Sequence, residues 1–232
     1  MATTNKTQDS KTLLQAVNLT LTYRDGQNII YAVREVSLAV AAGEFVGILG
    51  PSGSGKTSLL YVLSGIRPAG AGQVYFNGQD IDTDVVSREE LRRRNFGFVF
   101  QQYFLINYLS VLQNIVVGAP KEDAQSRERA RELVTELGMA GLEHRKPYEL
   151  SAGQRQRVAI GRAMINSPRV VFADEPTANL DPSTGANVME VLTSMKERSS
   201  LIVVSHDEKI LSHAETIYRM QDGRLEREGR PG

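Results

Sequence analysis

Apolar residues recur along this chain in two rhythms, and each predicts a different kind of element. Residues 13–23 and 32–40 mix alternating and continuous apolar positions on either side of the turn dipeptide Asp25-Gly26, which predicts an antiparallel N-terminal β layer. Four shorter runs, at 45–49, 96–100, 170–173 and 201–204, are apolar throughout. A strand buried on both faces has no reason to alternate, so these runs predict a mostly parallel core sheet. Helical spacing is clearest in Ala130, Leu133, Val134 and Leu137 and again in Val188, Val191, Leu192 and Met195, each an i, i+3, i+4, i+7 stripe. The second helix has a start signal: Asp181 can cap it while Pro182 takes the first helical position, where a missing N–H costs nothing.

Between residues 103 and 166 there are several helix candidates and no convincing strand, so that stretch reads as a helical subdomain inserted into a sheet domain. The expected fold class is α/β, with one domain over residues 1–232 and residues 1–12 as a polar tail. That tail lacks the apolar core of a signal peptide. No apolar run approaches the roughly 20 residues of a transmembrane helix. Lysine plus arginine number 27, and so do aspartate plus glutamate. Zero formal charge leaves no basic field to recruit nucleic acid, so none is expected as a partner. The absence of cysteine excludes disulfides and thiolate metal sites and suits a reducing cytoplasm.

The chemistry begins at Gly50-Pro51-Ser52-Gly53-Ser54-Gly55-Lys56-Thr57. This loop follows the 45–49 strand and leads into an apolar helical stretch at 58–63, the context a phosphate-binding P-loop requires. Glycines let backbone N–H groups turn inward around phosphates, and the helix N-terminus that carries Ser58 adds partial positive charge. Lys56 would reach the β- and γ-phosphates, and Thr57 offers a hydroxyl to Mg²⁺. The motif alone does not choose among kinases, GTPases, helicases and transport ATPases.

Asp174-Glu175 ends the 170–173 strand, which places the pair beside the loop in a parallel sheet. Asp174 would hold Mg²⁺ and Glu175 would orient and deprotonate the attacking water. His206, after the 201–204 strand, could bond the γ-phosphate and that water. Gln101, after the 96–100 strand, could touch Mg²⁺ or water, although such a glutamine commonly only pairs with local backbone.

Leu150-Ser151-Ala152-Gly153-Gln154 has the spacing of a capping box, and read functionally it is an exposed helix N-terminus suited to a phosphate. It also resembles the Leu-Ser-Gly-Gly-Gln signature of ABC ATPases. With Gln101 before it and Asp174 after it, the chain is similar to that family over roughly residues 13–224. The stretches Phe98-Val99-Phe100-Gln101-Gln102, Leu109-Ser110-Val111-Leu112-Gln113-Asn114-Ile115 and Ala173-Asp174-Glu175-Pro176-Thr177-Ala178-Asn179-Leu180-Asp181 look most like its MacB, LolD and FtsE group, while residues 117–127 look short for that group.

The resemblance implies an ATP-hydrolysing subunit that forms an ATP-sandwiched homodimer. Ser151 and Gly153 of one copy would then contact the γ-phosphate held by Lys56 of the other, with Gln154 counted in the same nucleotide site. It further implies that Tyr23 stacks on adenine and that Asp181 lies across the dimer interface. A separate integral membrane permease is the implied partner, contacted through residues 103–109, with the chain peripheral on the cytoplasmic face of the inner or plasma membrane. The implied work is export, lipoprotein release or mechanotransmission; the alternative is a non-transport ABC ATPase such as a cell-division regulator. A small-molecule kinase would leave residues 151–154 and His206 without a purpose. Ala152 replaces the usual first glycine, and if the backbone needs positive φ there, its Cβ costs about 1–2 kcal/mol; Ala152→Gly would then change the hydrolysis rate.

Overall fold

The computed structural model describes residues 12–81 and 84–228. The expected N-terminal tail lies outside the described residues as far as residue 11, and Thr12 already opens the first strand, opposite Ala41. Strands β1 (Thr12–Asp25) and β2 (Asn28–Ala41) form an antiparallel hairpin that turns at Gly26, whose φ is +59°. A two-residue hairpin loop needs left-handed backbone, which glycine adopts at no steric cost. Strands β3 (Phe45–Leu49), β4 (Ala71–Phe76) and β5 (Gln79–Asp80) follow, and the first sheet has the order β2-β1-β4-β5.

The second sheet adds β6 (Phe96–Val99), β7 (Val170–Asp174), β8 (Ser200–Ser205), β9 (Thr216–Gln221) and β10 (Arg224–Glu228), in the order β10-β9-β3-β8-β7-β6. All its pairings are parallel except that of the edge strand β10. Side chains alternate faces along a strand, and both faces of this sheet are covered. Val170 and Phe172 join the core beneath the antiparallel layer, whereas Val171 and Ala173 join the core beneath the helices. This double burial explains the unbroken apolar runs. Each fully buried Phe, Leu or Ile contributes about 1.5–3 kcal/mol.

Among the described residues, six α-helices complete the fold: α1 (Lys56–Leu63), α2 (Val85–Asn95), α3 (Val111–Val116), α4 (Ala124–Glu136), α5 (Ala152–Met164) and α6 (Pro182–Ser194). Both predicted stripes are buried, the first on α4 with Leu137 just past its end, the second on α6 with Met195 likewise, save for half-buried Val191. Asp181 caps α6 as expected, accepting from the Thr184 N–H at 3.0 Å. No strand occurs among the described residues from 103 to 166.

The sequence reading did not identify α2, β4, β5, β9 or β10. Helix α2 buries none of its residues and so carries no apolar stripe, and only Val74 and Phe76 of β4 are buried. The expected strand at 96–100 ends one residue early, at Val99.

The register of the parallel sheet positions the chemistry. Leu49 pairs with Ser205, Asp174 with Val204 and Ala173 with Val99. The C-terminal ends of β3, β6, β7 and β8 therefore lie level along one edge, where α/β sheets place their ligands.

Candidate functional site

After Leu49 the chain turns sharply over the sheet edge, and Gly50 N–H donates to the Ser205 carbonyl at 3.2 Å. A Cβ on Gly50 would stand 2.2 Å from the Met220 carbonyl oxygen, and one on Gly55, at φ +104°, 1.9 Å from that of Ala32. The loop is thus pressed between β2, β8 and β9, and only glycine lets the backbone pass. Lys56 opens α1 and is buried; its Nζ donates to the carbonyls of Gly50 at 2.7 Å and Pro51 at 2.9 Å. Burial lowers the ammonium pKa below the usual lysine range, with the carboxylates of Glu175 and Asp174 opposing that shift. The Ser54 hydroxyl is buried inside the loop without a hydrogen-bond partner, although such groups are ordinarily satisfied.

At the tip of β7, Asp174 is buried and its Oδ1 accepts from Thr57 Oγ1 at 3.0 Å. Desolvation raises its pKa, assisted by the charge of Glu175; the Thr57 bond and Lys56 act the other way. Glu175 holds a left-handed backbone, φ +45°, anchored by its N–H to the Val204 carbonyl at 3.0 Å. That conformation costs a non-glycine residue about 1–2 kcal/mol and persists only where the surroundings impose it. Its side chain lies between three groups. Oε1 is 3.8 Å from Lys56 Nζ, while Oε2 accepts from Ser205 Oγ at 3.3 Å and sits 3.0 Å from His206 Nδ1.

Lys56, Thr57, Glu175 and His206 face a cavity of about 560 Å³, lined also by Pro51, Ser52, Gly53, Gly55, Ser58 and Gln101, with Ile30, Tyr31 and Ala32 of β2 as a further wall. Sequence reasoning missed that wall and also Ser205, whose only signal was its place beside His206. A larger cavity of about 750 Å³ lies against α2, between Phe76, Asp80, Glu90 and Arg94. It contains none of the site groups, so size does not locate the chemistry here.

Gly50, Ser54 and Asp174 lie behind the cavity lining, and Tyr23, Ser151, Gly153, Gln154 and Asp181 stand away from it. Tyr23 is half-buried, with its hydroxyl 3.3 Å from Ser58 Oγ and the Arg67 guanidinium 4.5 Å from its ring centre. Ser151 caps α5: its Oγ accepts from Gln154 N–H at 3.2 Å while Gln154 Oε1 accepts from Ser151 N–H at 2.9 Å. Gly153 is buried against α6, where an added Cβ would come within 2.4 Å of Thr184 Cγ2. Asp181 is occupied with Ser183 Oγ at 2.6 Å and the Thr184 N–H. Nearby, Asn179 Nδ2 donates to the Gln101 carbonyl at 3.0 Å, tying the segment before α6 to the one after β6.

The concern over Ala152 is corrected by the fold. Ala152 is the first residue of α5 and has no positive φ, and alanine is the best helix former. No backbone strain follows from its Cβ.

The sequence profile of the ABC transporter family matches residues 33–178. The chain is 39% identical over 228 residues to an uncharacterized ABC transporter ATP-binding protein of Methanocaldococcus jannaschii, MJ0796, covering 93% of this chain and 96% of that one. It is 38% identical over 231 residues to a probable export ATP-binding/permease protein, MacB, of Pseudomonas entomophila, covering 96% of this chain but 34% of that protein. The chain therefore spans about a third of the MacB relatives it matches. Among solved structures it superposes on the dimeric post-hydrolysis state of the MJ0796 ATP-binding cassette, bound to ADP and Pi, with a TM-score of 0.86, 35% identity, and 95% and 100% of the two chains covered.

Proposed function

Since the chain belongs to the ABC transporter family, we propose that it binds and hydrolyses ATP between two copies of itself and so drives a separate integral membrane permease. The observation that carries the reading is the convergence of Lys56, Thr57, Asp174, Glu175 and His206 at the ends of three adjacent strands.

Each group has a task that its surroundings support. Lys56, held on two loop carbonyls, exchanges them for β- and γ-phosphate oxygens. The unpartnered Ser54 hydroxyl and the inward N–H groups of the loop complete the cradle. Glu175, positioned by Ser205 and His206, orients the attacking water and takes its proton, and His206 reaches the γ-phosphate. A threonine hydroxyl bonded to one carboxylate is a small, all-oxygen donor set that fits Mg²⁺, which keeps several of its waters. When bound by Thr57 and Asp174, that ion would neutralise charge on the phosphate oxygens.

The N-terminus of α5 does not share the cavity of its own P-loop, so Ser151 and Gly153 serve the nucleotide of a second copy. The permease surface is the segment after Gln101. Phe104 is 60% and Tyr108 76% exposed, whereas Tyr103, Leu105, Ile106 and Leu109 are half-buried and belong partly to the subdomain. Among the described residues no helix is long and apolar enough to cross a membrane; in this reading the chain meets the cytoplasmic face through its permease. Export, lipoprotein release and mechanotransmission are the tasks this reading covers. The test is a pull-down from detergent-solubilised native membranes with Glu175→Gln held in Mg-ATP. A multi-pass membrane protein is expected among the retained partners; ribosomal or nucleic-acid partners alone would overturn the transporter reading.

A further inference from the structure

We propose that Arg67 is a cap on the Tyr23 ring that the nucleotide base must displace, which makes it a positioning residue that sets affinity through the base alone. The inference rests on the reading of Tyr23 as the base platform. Tyr23 is half-buried and packs against the core under the antiparallel layer. Its hydroxyl edge reaches Ser58 in the first turn of α1. What remains is the outward side, and the guanidinium of the exposed Arg67 lies over the ring, 4.5 Å from its centre.

The Arg67 backbone is anchored beyond the end of α1, its N–H donating to the Tyr61 carbonyl at 3.0 Å, so the long side chain reaches back toward the nucleotide site. Consistent with a covered ring, the cavity over the P-loop is walled by Ile30, Tyr31 and Ala32 and not by Tyr23. A cation stacked on an exposed tyrosine is held by an attraction equivalent to about a two- to fivefold change in an equilibrium constant. A base that stacks on Tyr23 gives up that factor first; a phosphate chain without a base does not.

The test compares Mg-ADP with Mg-pyrophosphate by titration calorimetry, so that neither hydrolysis nor the γ-phosphate enters. Arg67→Ala is expected to raise the ratio of ADP to pyrophosphate affinity about two- to fivefold. Arg67→Lys should restore part of the difference, and Arg67→Ala should have no effect on that ratio in a Tyr23→Ala background. An unchanged or lowered ratio in Arg67→Ala, with Tyr23→Ala still weakening ADP, would overturn the cap and leave the platform standing. If Tyr23→Ala leaves ADP affinity unchanged, the platform reading fails and the cap goes with it.

Discussion

Asn114 offers the sharpest test of how the fold holds the segment after Gln101, the one proposed to meet a permease. It is fully buried; Oδ1 accepts from the Ile106 N–H at 2.7 Å, and Nδ2 donates to the carbonyls of Ile106, Leu109 and Ser110 at 3.1, 3.1 and 3.0 Å. Arg162 holds the same segment from another side, donating to the carbonyls of Tyr103 and Phe104. In Asn114→Ala the Ser110 carbonyl keeps its bond from the residue 114 N–H and the Ile106 carbonyl keeps its bond from the Leu109 N–H, but the Ile106 N–H and the Leu109 carbonyl lose their partner. At about 1–2 kcal/mol for each of the two groups left unsatisfied, the expected loss is about 2–4 kcal/mol. That is a large part of a typical stability of about 5–15 kcal/mol and corresponds to a melting point lowered by roughly 10 °C.

Asn114→Asp separates hydrogen bonding from volume. It keeps an acceptor for Ile106 but sets a carboxylate against three carbonyls, so burial and repulsion raise its folded-state pKa above the unfolded value of about 3.9. Above that pH the native state holds more protons than the unfolded state, so the mutant's stability falls as pH rises. Urea unfolding followed by circular dichroism, at pH 5 and pH 8, reads both effects. A loss under about 1 kcal/mol in Asn114→Ala, or an Asn114→Asp deficit that does not grow between the two pH values, would refute the account.

The remaining predictions concern the nucleotide site. Lys56→Ala should abolish ATP binding in a filter assay, while Glu175→Gln should bind ATP and lose at least about a hundredfold in hydrolysis; normal turnover by the latter would remove it as the base. Because burial raises the pKa of Asp174, its charge opposes folding at neutral pH and does so less as pH falls toward the usual carboxylate range. Asp174→Asn should therefore melt higher than the parent without nucleotide, yet lose Mg²⁺-dependent hydrolysis. Since Ala152 sits in a helix, Ala152→Gly should leave the ATPase rate within about twofold and lower stability by up to about 1 kcal/mol; a large rate gain would show that the methyl group crowds the second copy's nucleotide.

The sequence by itself determined the parallel core, the P-loop, the carboxylate pair and the helix stripes. Those features are encoded locally: β3, β7 and β8 are buried on both faces and so appear as unbroken apolar runs, and a phosphate loop needs its glycines and lysine within eight consecutive positions. Even the capping of α5 and α6 was readable, because a cap spans only four residues. Only the tertiary structure decided what depends on distant segments meeting. Met220 and Ala32 make glycine necessary at positions 50 and 55, Arg67 covers Tyr23, and Asn114 binds a loop that ends four residues before it. It also showed that Ala152 needs no special backbone and that Gly153 has a packing reason to lack a side chain. Helix α2 and strand β10 stayed illegible for a related reason: surface elements bury too little to leave a hydrophobic rhythm, and neighbours rather than their own residues hold them in place.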